Sequence, residues 1–129
     1  MSKVIKAFFG VLLVLVVIAI GGLAAVWLSL DDMCGNQVES EIWAPNRANK
    51  VVIFQRDCGA TTGFSTQLSI LASGEELHSD DAGNFYIETG HPKNSGIEVE
   101  WLGPKSVLIK GATRPLRATE IGDIKIVSE

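Results

Sequence analysis

The chain has 129 residues, 11 of them Lys or Arg and 15 Asp or Glu, for a net charge of −4. That length allows one small domain beside any targeting segment. The acidic balance argues against nucleic acid and against an anionic membrane surface as partners.

The most informative stretch comes first. Ala7 to Leu30 is 24 residues without a charge, and Ser29 is its only hydroxyl side chain. As a helix it reaches about 36 Å, enough to cross a hydrocarbon core of about 30 Å. Lys3 and Lys6 precede it and Asp31 and Asp32 follow it. Because basic residues are held on the cytoplasmic side, the N-terminus is expected inside and the remainder outside. A cleaved secretory signal is the competing reading. Val11 to Ile20 resembles its apolar region, and Ala19-Ile20-Gly21 or Gly22-Leu23-Ala24 resembles a cleavage site. The apolar run, however, continues from Ala25 to Leu30, length a signal peptide does not need, and Trp27 sits where an interfacial aromatic belongs. A retained single-pass anchor, with the lipid bilayer as partner through residues 7–30, is therefore expected. Cys34 is not a lipidation site, since Asp31, Asp32 and Met33 stand where small residues are required.

Residues 1–30 are thus read as cytoplasmic stub and transmembrane anchor, and residues 31–129 as one extracytoplasmic domain. With Lys3 and Lys6 set aside, 9 basic and 15 acidic residues remain outside, a net −6. Two cysteines, Cys34 and Cys58, fall in this domain, and in an oxidising compartment such a pair forms a disulfide. Closing a loop of about 25 residues contributes about 3 kcal/mol in the chain-entropy model.

Strand signals dominate the domain. Val51 to Phe54 is a β-branched and aromatic run. Phe64, Thr66, Leu68 and Ile70 alternate with Ser65, Gln67 and Ser69, and Phe85 and Ile87 flank Tyr86. Ile97, Val99 and Trp101 alternate with Glu98 and Glu100; Val107 to Ile109 and Ile124 to Ile126 follow. Turn residues separate these runs at Ala44-Pro45-Asn46, Ser79 to Asn84, His91 to Gly96 and Gly103-Pro104. Arg114 to Gly122 has room for one short turn of helix. Trp43 and Trp101 each precede a proline turn and an apolar strand, an internal echo that places both tryptophans in the core. The expected fold is all-β, a small antiparallel meander or sandwich of about six to seven strands after one transmembrane helix.

The candidate binding segment is Arg56 to Thr66. Gly59 and Gly63 permit unusual backbone angles, and Arg56, Asp57, Thr61, Thr62, Ser65 and Thr66 offer charge and hydroxyls beside the disulfide. The same hydroxyls can instead satisfy the backbone of a tight connection. This segment, with Cys34 and the Pro45 turn, resembles one found in small uncharacterised bacterial membrane-anchored or secreted proteins sharing an RDCGATTGFST-like stretch. The resemblance covers roughly Cys34 to Leu71 and implies a bacterial envelope protein; combined with the anchor and its flanking charges, the expected location is the bacterial inner membrane, with the C-terminal domain in the periplasm or outside the cell. It implies no activity.

Enzyme signatures are weak. His78 and His91 do not stand at ligand spacing with each other or with a cysteine, so no metal site is expected. Ser65 with His78 or His91 and Asp57 forms a triad only on paper. Asp80, Asp81 and Asn84 fail the calcium-loop spacing, and Gly59 to Thr66 lacks the lysine of a phosphate loop. No cofactor is expected. The favoured reading is a non-enzymatic, membrane-anchored binding or accessory module whose partner is another envelope protein. An envelope hydrolase using the Arg56 to Thr66 loop is the alternative from a different class; an immunity- or exclusion-type protein and a subunit of a membrane complex are further forms.

Overall fold

The structure, a computed structural model, describes residues 2–30, 34–59 and 62–129. It divides into an N-terminal helical unit and a β unit that begins at Cys34. Helix α1 spans Ser2–Leu30. It carries no helix-breaking proline, and its side chains from residue 2 to residue 28 are all exposed. By length and composition it meets the requirements of a membrane span, and a signal sequence meets the same ones.

The β unit contains eight strands among the described residues: β1 Gly35–Trp43, β2 Asn49–Asp57, β3 Phe64–Ala72, β4 Tyr86–Thr89, β5 Glu98–Gly103, β6 Ser106–Lys110, β7 Glu120–Ile121 and β8 Ile124–Ser128. They form two four-stranded sheets, ordered β1-β2-β3-β4 and β5-β6-β8-β7. The first is an antiparallel meander. The second departs from the all-antiparallel expectation, because β6 and β8 pair in parallel. The chain returns to the start of the sheet through residues 111–123, and the segment expected to hold a helical turn instead supplies β7, which hairpins onto β8. A 3-10 turn lies at Pro92–Asn94.

The sheets pack face to face. Val51, Ile53, Leu68, Ile70, Phe85 and Tyr86 from the first side meet Val107, Ile109, Ile124 and Ile126 from the second in one core. Apolar burial of this kind contributes about 1.5–3 kcal/mol per large side chain. Trp101 packs against this core and donates its Nε1–H to the Ile42 carbonyl at 2.9 Å, joining β5 to β1. Trp43 does not enter the core. It is half-buried on the other face of β1, with the Arg47 guanidinium 5.0 Å and the Lys50 ammonium 5.1 Å from its ring. Cations over an indole face are attracted by its quadrupole. Lys50, itself buried, is neutralised by Glu41 at 2.9 Å.

The outer face of the first sheet is covered as well. Side chains alternate along a strand, so Val52, Phe54 and Arg56 point away from the core that Val51 and Ile53 enter. Yet Val52 and Phe54 are fully buried. The connection from Ser73 to Phe85, hereafter the strap, lies across this face. Arg56 donates from Nη1 to the carbonyls of Ser79 (3.2 Å) and Asp81 (2.8 Å), and from Nη2 to that of Asp80 (3.3 Å). Asn36 Nδ2 donates to the His78 and Asp81 carbonyls, both at 2.7 Å, and its Oδ1 accepts from Arg56. Gln67 Oε1 accepts from the Gly83 N–H at 2.6 Å, and Ser69 Oγ accepts from the Asn84 N–H at 3.1 Å. The approach at Gly83 is close enough that a Cβ there would meet the Tyr86 carbonyl at 2.7 Å. Asn84 then carries the ladder on with its side chain: its amide accepts from the Ile70 N–H and donates to the Ile70 carbonyl.

Cys34 and Cys58 form the expected disulfide, just beyond the first paired residues of β1 and β2, Gly35 and Asp57.

Candidate functional site

The segment singled out by sequence closes the end of the first sheet that bears the disulfide. Gly59 (φ 116°) and Gly63 (φ 66°) take the left-handed region that glycine tolerates without strain. Asp57 Oδ1 accepts from the Gly59 N–H at 3.0 Å, and the Thr62 N–H and hydroxyl both donate to the Gly59 carbonyl. Thr61 lies outside the described residues. Ser65 Oγ donates to the Arg56 carbonyl at 3.4 Å and accepts from Gln67 Nε2 at 2.9 Å. Thr66 is fully buried and donates to the Gly90 carbonyl at 2.9 Å. Arg56 is spent on the strap. The polar side chains of this segment therefore hold local backbone in place. What the loop leaves open is a depression of about 390 Å³ lined by Asp57, Gly59, Gly63 and Phe64. Phe64 is half exposed and meets the His91 ring edge to face at 6.3 Å.

The paper triad is not assembled. His91 Nδ1 accepts from the Lys93 N–H at 3.1 Å, and neither histidine side chain hydrogen-bonds Ser65 or Thr62. Asp57 faces its own turn.

A second site lies on β4, which no sequence signal marked. Its centre is Glu88, 5% exposed. The Tyr86 hydroxyl donates to Glu88 Oε2 at 2.6 Å, and the Thr113 hydroxyl donates to the same oxygen at 2.7 Å. The phenol oxygen in turn accepts from the N–H groups of Thr113 (3.0 Å) and Arg114 (3.3 Å). Burial pushes the Tyr86 phenol above its ordinary pKa, and the bond to Glu88 pushes the same way. Glu88 Oε1 takes no part in these bonds. No fully enclosed side-chain oxygen among the described residues lacks a partner, so Oε1 is not completely sealed from solvent. Glu88 also lines a cavity of about 320 Å³, together with Ser65, Ile87, Thr89, Arg114 and Pro115. Arg114 is exposed there and makes no ion pair among the described residues.

The backbone beside this cavity is open too. β4 is the last strand of its sheet. Gly90 donates its N–H to Phe64, which fixes the alternation of the ladder: Glu88 bonds toward β3, and Ile87 and Thr89 turn their N–H and C=O groups outward. The outward carbonyl of Phe85 is met by the Arg117 N–H at 2.8 Å. Beyond it the neighbouring chain reaches Pro115, which has no N–H to offer. Of the residues named from sequence, only Ser65 lines this cavity. Phe85-Tyr86-Ile87-Glu88 reads as an ordinary strand, and nothing in it discloses that the strand ends the sheet.

No family model, no curated protein and no solved structure matches the chain.

Proposed function

We propose that the protein is a non-enzymatic, membrane-anchored binding module of the bacterial envelope. Helix α1 is the anchor and the disulfide-bonded β-sandwich is the part that engages another envelope protein. The observation that carries the reading is the joining of an apolar helix, exposed on every side from residue 2 to residue 28, to a domain closed by Cys34–Cys58. The apolar surface of the helix calls for lipid, and the disulfide calls for an oxidising compartment. The bacterial assignment rests on the resemblance of the Arg56 to Thr66 segment. The net −6 outside the membrane favours a basic or neutral partner surface. The hydrolase reading has no support in the placement of Ser65, His78, His91 or Asp57.

Expression of the full chain in bacteria, followed by intact-mass measurement and protease treatment of spheroplasts, tests this. The expected outcome is an uncleaved chain that sediments with membranes at alkaline pH and is digested from the outside. A mature mass beginning near Ala25 would replace the anchored module with a secreted one. Recovery in mild detergent without any stable partner would count against the binding role.

A further inference from the structure

We infer that the outer edge of β4 is a peptide-docking site: it takes an extended segment of the partner as an added antiparallel strand, with a Lys or Arg of that segment opposite Glu88. This deepens the binding-module reading and rests on it.

Three observations converge on the edge. The N–H and C=O groups of Ile87 and Thr89 point outward and have no backbone partner among the described residues. Two such residues bracketing one inward-bonded residue are the repeat that an added antiparallel strand requires. The 320 Å³ cavity lies against the same residues, with room for a side chain of the incoming strand. Glu88, which lines it, is almost fully buried, and its carboxylate is pinned through Oε2 by Tyr86 and Thr113, which leaves Oε1 outside these bonds. A carboxylate already desolvated and oriented meets a cation at small further cost.

Charge selects the occupant. A second copy of the chain is the obvious alternative, since any open edge can pair with itself. Antiparallel self-pairing that used the outward groups of both Ile87 and Thr89 would set the two copies' Glu88 residues directly opposite each other. Like charges at that spacing are destabilising. Moving the register one way brings in Phe85, whose outward carbonyl already accepts from the Arg117 N–H, and moving it the other way brings in His91, whose carbonyl already accepts from the Asn94 N–H. A foreign strand with a basic residue at that position removes the conflict. Arg114 at the rim, without an ion pair among the described residues, donates to a carboxylate of the same segment and disfavours a run of bases. The recognised feature is therefore a single basic residue in an extended, otherwise neutral or acidic stretch.

The test uses the full chain in detergent micelles and a positional-scanning set of short, end-capped fluorescent peptides, read by polarisation. Lys or Arg at one position is expected to strengthen binding about tenfold over Ala, the worth of one charge-assisted hydrogen bond. Glu88→Gln, which keeps an acceptor for Tyr86 and Thr113, abolishes that preference. Thr89→Pro, which removes an outward N–H without a partner among the described residues, abolishes binding while the thermal transition of the domain stays in place. Binding that survives both substitutions would overturn the edge site and leave the binding-module reading standing. The edge site also falls, alone, if no peptide binds while a partner protein still co-purifies with the full chain. Self-association that Thr89→Pro breaks, without peptide binding, would assign the edge to a second copy. Failure of both peptide and partner to bind would remove the binding-module reading and the docking site with it.

Discussion

The two sheets solve burial differently. The second sheet has one wet face, and its strands alternate: in β5 the odd positions Val99 and Trp101 turn inward while Glu98 and Glu100 are exposed. β8 does the same with Ile124 and Ile126 against Lys125 and Val127. The first sheet has no wet face at its centre. Lys50 to Phe54 and Thr66 to Ile70 are buried without interruption, because the sandwich core covers one side and the strap covers the other. A strand buried on both faces loses the period-two signature. Polar residues on the strap side, Arg56, Gln67 and Ser69, are there to bind the backbone laid across them.

The contrast yields measurable consequences. Phe54 lies under the strap with no exposure, so Phe54→Ala should cost about 3–5 kcal/mol in denaturant unfolding followed by tryptophan fluorescence. Val127, outward on the second sheet and half exposed, should change stability by no more than about 0.5 kcal/mol on going to Ala. Equal costs at the two positions would mean that the strap does not seal the outer face. Arg56→Ala should cost about 1–3 kcal/mol by taking the donor from the Ser79, Asp80 and Asp81 carbonyls. Hydrogen exchange should then quicken in residues 78–84 and stay unchanged in β5 and β6. Exchange that quickens everywhere would show the strap to be part of one cooperative unit rather than a cover.

Tyr86→Phe is expected to cost less than Phe54→Ala, about 1–2 kcal/mol near neutral pH. Its signature is in the alkaline range. The folded phenol titrates above the ordinary value near 10, so the unfolded phenol ionises first. The stability Tyr86 contributes is therefore complete below that value and is lost as pH climbs past it toward the folded pKa. The Phe variant should lack this component of the alkaline decline. An identical decline in both proteins would show that Tyr86 is not the group responsible.

Legibility in the sequence follows the same division. The runs Val51 to Phe54, Phe64 to Ile70, Ile97 to Trp101, Val107 to Ile109 and Ile124 to Ile126 all fall on or against observed strands, since apolar patterning reports burial directly. β1 is not readable: Asn36, Gln37, Glu39, Ser40 and Glu41 carry no apolar alternation. That strand is an edge, held by its ladder to β2 and by the disulfide. The polar cluster from Ser79 to Asn84 announces a turn, and nothing local tells that it lies on Phe54. The cysteine pairing is legible because the domain has only two. The environment of Glu88 is not, because it depends on Thr113 and Arg114, some 25 residues away in the chain. Trp43 misleads for a related reason. Its large apolar ring suggests the core, but Arg47 and Lys50 give it a surface role that only the turn geometry creates.

The position of Cys34–Cys58 has a mechanical consequence. An edge strand pulled from its end unzips one ladder bond at a time, which takes far less force than shearing a sheet. The preceding chain joins the β unit at Cys34, so tension from that direction would arrive at the end of β1. The disulfide diverts it across a covalent bond to Cys58, at the end of β2, a strand paired on both sides. β1 is thereby bypassed, and the load enters the sheet at a strand held by a ladder on each side.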